Sequence, residues 1–310
     1  MKLRILLCVA GQAVLLSSQA PGASSVQPST SDRPPLYAAE NTNAHSEQAL
    51  PATYPAELPF RLSSGYLIEV EGRIGTQGNL KFLLDTGATI SIVDSRIAYQ
   101  MKLERRPAES LSFERKLAWE VTTVPEVTLG GIKARNVQML VGRLAEYSEF
   151  ATKADVIIGT DLLKLSDFSI DYDTKKIIFH SQQREYTQPS GEPLSECVIL
   201  ELLVQGHPVR LIVDTGLPGL LLYEEPLLRQ VPALRTAGNP IGVSMGGRLR
   251  AKQAVLPDVV IGARNGEVSV LLVDGPPPET LRGIDGIMGL AVLKARRVHF
   301  DFVEKRVSWE

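Results

Sequence analysis

Leu83-Leu84-Asp85-Thr86-Gly87-Ala88 is an apolar run that stops abruptly on a carboxylate, a small hydroxyl residue and a glycine. It recurs once, as Ile212-Val213-Asp214-Thr215-Gly216-Leu217. A short apolar run of this kind reads as a buried strand. Ending such a strand on a carboxylate is costly, because a desolvated carboxylate must be paired or hydrogen-bonded. Two strands that end this way imply that Asp85 and Asp214 meet that cost together. The two aspartates are therefore the candidate catalytic centre.

Working outward from each copy, the same order of elements appears twice. Tyr66–Gly72 is strand-like and precedes the first run; Cys197–Val204 precedes the second. After Gly87 come Thr89–Val93 and a short helix capped by Asp94; after Gly216 come Leu220–Tyr223 and a short segment near Pro226. Asp155-Val156-Ile157-Ile158-Gly159 is matched by Asp285-Gly286-Ile287-Met288-Gly289, and the hairpin Phe168–Phe179 by Val298–Trp309. The offset is 129 for the two aspartates and 130 both for Gly159/Gly289 and for Asp171/Asp301. Landmarks that hold one offset this closely indicate an internal duplication, each copy a β unit of about 120 residues. Asp155 and Asp285 read as loop or capping residues, and Asp171 and Asp301 as members of exposed hairpins.

The rest of the chain bounds the possibilities. At 310 residues it has room for two domains, with 44% hydrophobic residues and a formal net charge of −2. No basic block is present, which argues against nucleic acid or an anionic membrane surface as partner. His45, His180, His207 and His299 are scattered, and Cys8 and Cys197 are the only cysteines, so no zinc spacing and no disulfide framework exist. Lys2, Arg4 and the apolar run Ile5–Leu16, followed by small residues, read as a secretory signal over 1–23. The run is short for a membrane span; the expected location is periplasmic or secreted, or tethered to the membrane where the signal is not cleaved. Residues 24–59, rich in Ser, Pro, Ala and Thr, read as a disordered linker or leader, with order beginning near Phe60. Two lobes follow, over 60–185 and 194–310.

The Asp-Thr-Gly loop suits paired-carboxylate chemistry. Glycine permits a tight turn and close approach of a second loop. A threonine hydroxyl can bond across to that loop. Two carboxyls in contact cannot both ionise and share a proton. The charged one can draw a proton from a water, and the protonated one can donate to a carbonyl oxygen.

On these residues the chain resembles the bilobal aspartic proteases, most closely a bacterial secreted, retropepsin-like branch. The resemblance spans roughly residues 60–310. It implies an all-β acid-protease fold: two pseudo-twofold-related lobes with short helices and a cleft between them. It implies that Asp85 and Asp214 are catalytic, that Thr86 and Thr215 cross-link the loops, and that Gly87 and Gly216 are the loop glycines. Ile157-Ile158-Gly159 and Ile287-Met288-Gly289 resemble the family's segment behind each loop. A polypeptide substrate, no metal, no cofactor and a monomeric, exported enzyme follow as expectations, with no integral membrane domain apart from the signal.

Two positions depart from the pepsin-like pattern, which has Ser or Thr after the glycine. Here Ala88 and Leu217 stand there, Leu217 followed by Pro218. Without a hydroxyl to stabilise the charged carboxylate, the dyad is expected to ionise at higher pH. The candidate flaps are residues 112–123 with Trp119 and residues 242–250 around Gly246-Gly247. Two other functions compete. Gly242-Val243-Ser244-Met245-Gly246 fits the G-x-S-x-G pattern of a serine esterase. Alternatively, the same fold serves as a catalytically inactive peptide-binding or envelope interaction protein.

Overall fold

The computed structural model describes residues 12–13, 55–112, 115–147, 154–180, 183–188, 193–228, 235–237, 241–244 and 247–310. Most of the signal segment and most of the leader lie outside these. The fold is all-β, two barrel-like lobes with only short helices. Among the described residues no helix is long and apolar enough to cross a membrane.

Each lobe is organised around the strand that delivers its aspartate. In the first, Gln77–Leu84 forms a hairpin with Leu67–Ile74. Leu80, Phe82 and Leu84 enter the main core, while Leu83 enters a second apolar cluster on the opposite face. Burial on both faces explains why this strand reads as a continuous apolar run rather than an alternating one. Val156–Ile158 lies parallel beside it, Leu83 opposite Ile157, and Ile92–Asp94 pairs antiparallel with Val156–Ile158. The second lobe repeats the plan. His207–Asp214 pairs with Ile199–Val204, and Gly286–Gly289 runs parallel to it with Val213 opposite Met288. Leu220–Tyr223 then pairs antiparallel with Gly286–Gly289.

The two hairpins differ in one detail. The first slips register between Gly72 and Ile74, whereas the second pairs without a slip. Opposite Leu83 stands Glu69, and opposite Ile212 stands Ile199. The bulge therefore shifts the duplicate offset from 130 on the leading strand to 129 at the aspartates.

Asp155 and Asp285 do equivalent structural work. Asp155 accepts the Lys81 backbone N–H at 2.9 Å, and Asp285 accepts that of Arg210 at 2.8 Å. Asp94 caps the helix Ser95–Gln100, accepting from the Arg96 N–H at 2.9 Å.

Between the lobes, Phe168–Asp171 pairs antiparallel with Arg297–Asp301, one strand from each copy, so a twelve-stranded sheet runs through both. Ser169 stands opposite His299, its own duplicate at an offset of 130, so the pseudo-twofold axis passes between them. Phe168 and Phe300 stack across the seam at 5.2 Å.

Two boundary expectations are corrected. The strand Ala56–Ser63 begins inside the stretch read as leader, because it pairs with Lys176–Phe179 and so continues this sheet. Asp171 is buried rather than exposed, because the seam covers its hairpin. It accepts from the Thr174 N–H at 2.8 Å and from Arg297 Nη2 at 2.6 Å.

Candidate active site

The strands Gln77–Leu84 and His207–Asp214 bring Asp85 and Asp214 together at the lobe junction. Both are buried, 2% and 1% exposed, and their carboxyl groups hydrogen-bond to each other. Each is held by the loop it begins. The Gly87 and Ala88 N–H groups donate to Asp85 Oδ1 at 2.9 and 3.0 Å, and the Gly216 N–H donates to Asp214 Oδ1 at 2.6 Å.

A reciprocal clasp joins the loops. Thr86 Oγ1 donates to the Val213 carbonyl at 2.8 Å and accepts the Thr215 N–H at 3.0 Å. Thr215 Oγ1 donates to the Leu84 carbonyl at 2.7 Å and accepts the Thr86 N–H at 3.1 Å. Each hydroxyl thus satisfies one donor and one acceptor of the opposite lobe. The glycines set the spacing: a Cβ on Gly87 would lie 2.5 Å from Asp214 Cγ, and one on Gly216 would lie 3.2 Å from Asp85 Cγ.

Burial, above all, raises both aspartates. Asp214 is pushed up to about 7, and Asp85 is held well above the usual carboxylate range by desolvation and then by the Asp214 charge. Ala88 and Leu217, both buried, place no hydroxyl on the pair. The arrangement can retain one shared proton close to neutral pH.

Behind the first loop lies a polar pair that the sequence did not single out. Asp161, fully buried, accepts from Ser91 Oγ at 2.7 Å, and Ser91 Oγ in turn accepts the Gly159 N–H at 3.0 Å. The Thr160 N–H and hydroxyl both reach the Ala88 carbonyl, at 2.8 and 3.2 Å. Asp161 Oδ2 has no hydrogen-bond partner among the described residues, and burial pushes the Asp161 carboxyl up to about 6. The available signal was a polar residue inside each apolar run: Ser91 between Ile90 and Ile92, Asp161 just before Leu162-Leu163. In the second lobe Leu220 and Ala291 take these places, so only the first loop has this support.

The remaining candidates lie as follows. Trp119 stands opposite Ala108 and clusters with Leu83, Ala88 and Ile157, in the packing behind the Asp85 loop. The first candidate flap is a hairpin closing at Ser112 opposite Arg115, and the second closes at Ser244 opposite Gly247. Gly246 lies outside the described residues, and Gly247 opens the strand Gly247–Ile261. This hairpin also corrects the serine-esterase reading. A nucleophile elbow needs a helix after the serine, and here a strand of 15 residues follows. Among the described residues no group of three or more His, Cys, Asp or Glu could hold a metal ion.

Residues 70–165, which carry Asp85 and Ile157-Ile158-Gly159, match the family model described as gag-polyprotein putative aspartyl protease. No curated protein matches the chain. Among solved structures the chain is similar to a retropepsin-like aspartic protease from Rickettsia conorii. That likeness has 20% identity and a TM-score of 0.29, over 42% of this chain and 95% of that one. Residues 70–165 of the first lobe are similar in sequence to the aspartyl proteases of gag polyproteins, the resemblance that the Asp-Thr-Gly loop of Asp85 carries.

Proposed function

We propose that the chain is an aspartic endopeptidase. The observation that carries this reading is the pair of Asp-Thr-Gly loops clasped by Thr86 and Thr215, with two buried carboxyl groups in contact. In the reaction a water sits against the pair. The Asp214 carboxylate takes its proton while the oxygen attacks the scissile carbonyl carbon. Asp85 gives its proton to the carbonyl oxygen, leaving a neutral gem-diol. Asp214 then returns its proton to the amide nitrogen as the C–N bond breaks and Asp85 recovers a proton from the diol. No covalent enzyme intermediate forms. The Leu217-Pro218 departure is compatible with this scheme, since the Gly216 N–H still holds Asp214.

The substrate is a polypeptide, taken in the cleft between lobes by a monomer that needs no cofactor. Export to the periplasm or beyond is part of the proposal and rests on the N-terminal pattern of Lys2, Arg4 and Ile5–Leu16. The test is digestion of a denatured protein and a peptide library by the wild type, Asp85→Asn and Asp214→Asn. Each variant is expected to lose about 10³-fold or more in rate while keeping its circular dichroism. A folded wild type that cleaves nothing would favour the inactive peptide-binding alternative. Cleavage that survives either substitution would refute the mechanism.

A further inference from the structure

The duplication makes the two flanks of the dyad comparable residue by residue, and they differ in charge. On one flank Glu196, on the second lobe's leading segment, is ion-paired and hydrogen-bonded to Lys164, just after the first lobe's helix Thr160–Leu163. Both side chains are largely covered, 10% and 24% exposed. On the other flank the duplicate partners, at the offset of 130 that the leading strands follow, are Tyr66 and Lys294. Tyrosine has replaced the carboxylate, and Lys294 has no acidic partner among the described residues. Where the ion pair would stand there is a cavity of about 170 Å³.

The walls of this cavity come from both lobes. Leu62 and Tyr66 line one side, Leu217 and Leu290 the other, with Thr215 of the catalytic loop and Lys294 also bordering it. Its position beside the dyad is marked twice. Thr215 belongs to the clasp, and the Tyr66 hydroxyl, raised chiefly by burial, also feels the charges of Asp214 and Asp85.

Resting on the protease reading, we propose that this cavity is a specificity pocket for a glutamate side chain of the substrate peptide. The methylenes pack against Tyr66, Leu62 and Leu217, and the carboxylate pairs with Lys294 as Glu196 pairs with Lys164 on the opposite flank. A cation bordering a cavity lined largely by apolar side chains selects a carboxylate carried on a short aliphatic stem and discriminates against its neutral amide isostere. Specificity on the two flanks is then unequal, although the scaffold is doubled.

The experiment uses peptide pairs identical except for Glu or Gln, the substitution being walked through the positions flanking the scissile bond. Cleavage is measured with the wild type and Lys294→Ala. Binding is measured separately, by fluorescence anisotropy, to Asp85→Asn with and without Lys294→Ala. At one position the wild type is expected to favour Glu by about fivefold in kcat/KM at low salt. The ratio should fall towards one at 1 M salt and to one in Lys294→Ala, and binding to Asp85→Asn should show the same preference. Cleavage with a Glu/Gln ratio of one at every position overturns the pocket and leaves the protease reading intact, whatever else fills the cavity. A Glu preference in binding that Lys294→Ala removes, with no cleavage by the wild type, upholds the pocket and removes the protease reading.

Discussion

Gly87 is fixed by its neighbour across the axis rather than by its own backbone, since the space a methyl group would need is held by the Asp214 carboxyl, 2.5 Å away. Gly87→Ala must therefore push the two loops apart. An overpacked site costs about 1–3 kcal/mol, and here the strain falls on the catalytic pair. The expected outcome is a lowered Tm together with a loss of activity out of proportion to it. Gly216→Ala meets its nearest atoms at 3.0–3.2 Å and should be milder in both. Equal effects, or a Gly87→Ala enzyme with wild-type kcat, would show that the carboxyl groups are not held against this glycine. The threonines act by a different means. Thr86→Val keeps the shape but leaves the Val213 carbonyl and the Thr215 N–H without their buried partner, at about 1–3 kcal/mol. Thr215→Val does the same to Leu84 and Thr86. Because both hydroxyls belong to one clasp, the double variant should be less destabilised than the sum of the singles, which a denaturant-melt cycle measures. Strict additivity would mean that the two halves of the clasp act independently.

At the scale of elements, much of the architecture was legible because each catalytic strand is buried on two faces and so leaves an unbroken apolar run in front of its aspartate. The parallel partner strands were legible for the same reason, through Ile157-Ile158-Gly159 and its copy. What escaped were contacts made by elements brought together from far apart in the chain. Asp171 looked exposed because the strand that covers it, Arg297–Asp301, comes from the other copy. Ser91 passed as one more residue of the run Thr89–Val93 and Asp161 was not singled out, because their bond spans 70 positions. Burial gives Asp161 a pH dependence of its own, which the bond from Ser91 only partly opposes. Asp161 is raised to about 6 in the fold, above the usual carboxylate value that it regains on unfolding. The folded state therefore binds more protons than the unfolded state between about pH 4 and 6, and stability falls as pH rises through that window. The shift corresponds to about 3 kcal/mol when complete. Asp161→Asn removes the titration, so its Tm should decline less steeply from pH 4 to pH 7 than that of the wild type. Parallel Tm curves for the two proteins would place the titration elsewhere.

For the whole molecule, joining the two lobes across the axis puts the dyad in a dry position, and dryness sets its working pH. Both aspartates are raised first by burial, Asp214 to about 7, with no hydroxyl from residue 88 or 217 to oppose the shift. Catalysis as proposed requires the singly ionised pair. Below its first ionisation the pair holds two protons and has no base; above its second it has no acid. The acid limb of kcat/KM should therefore lie near neutrality and the rate should climb from pH 4 to pH 7, which a pH–rate profile on one peptide tests. Stability must move the opposite way over the same range, since the folded state retains protons that the unfolded chain releases. An enzyme whose rate rises while its Tm falls between pH 4 and 7 would carry both signatures of the same buried carboxyls. Introducing a hydroxyl with Ala88→Ser, next to the N–H that already holds Asp85, should favour the charged form and draw the acid limb downward. A wild-type profile confined to strong acid, or an acid limb indifferent to Ala88→Ser, would mean that desolvation at the lobe junction does not govern the dyad.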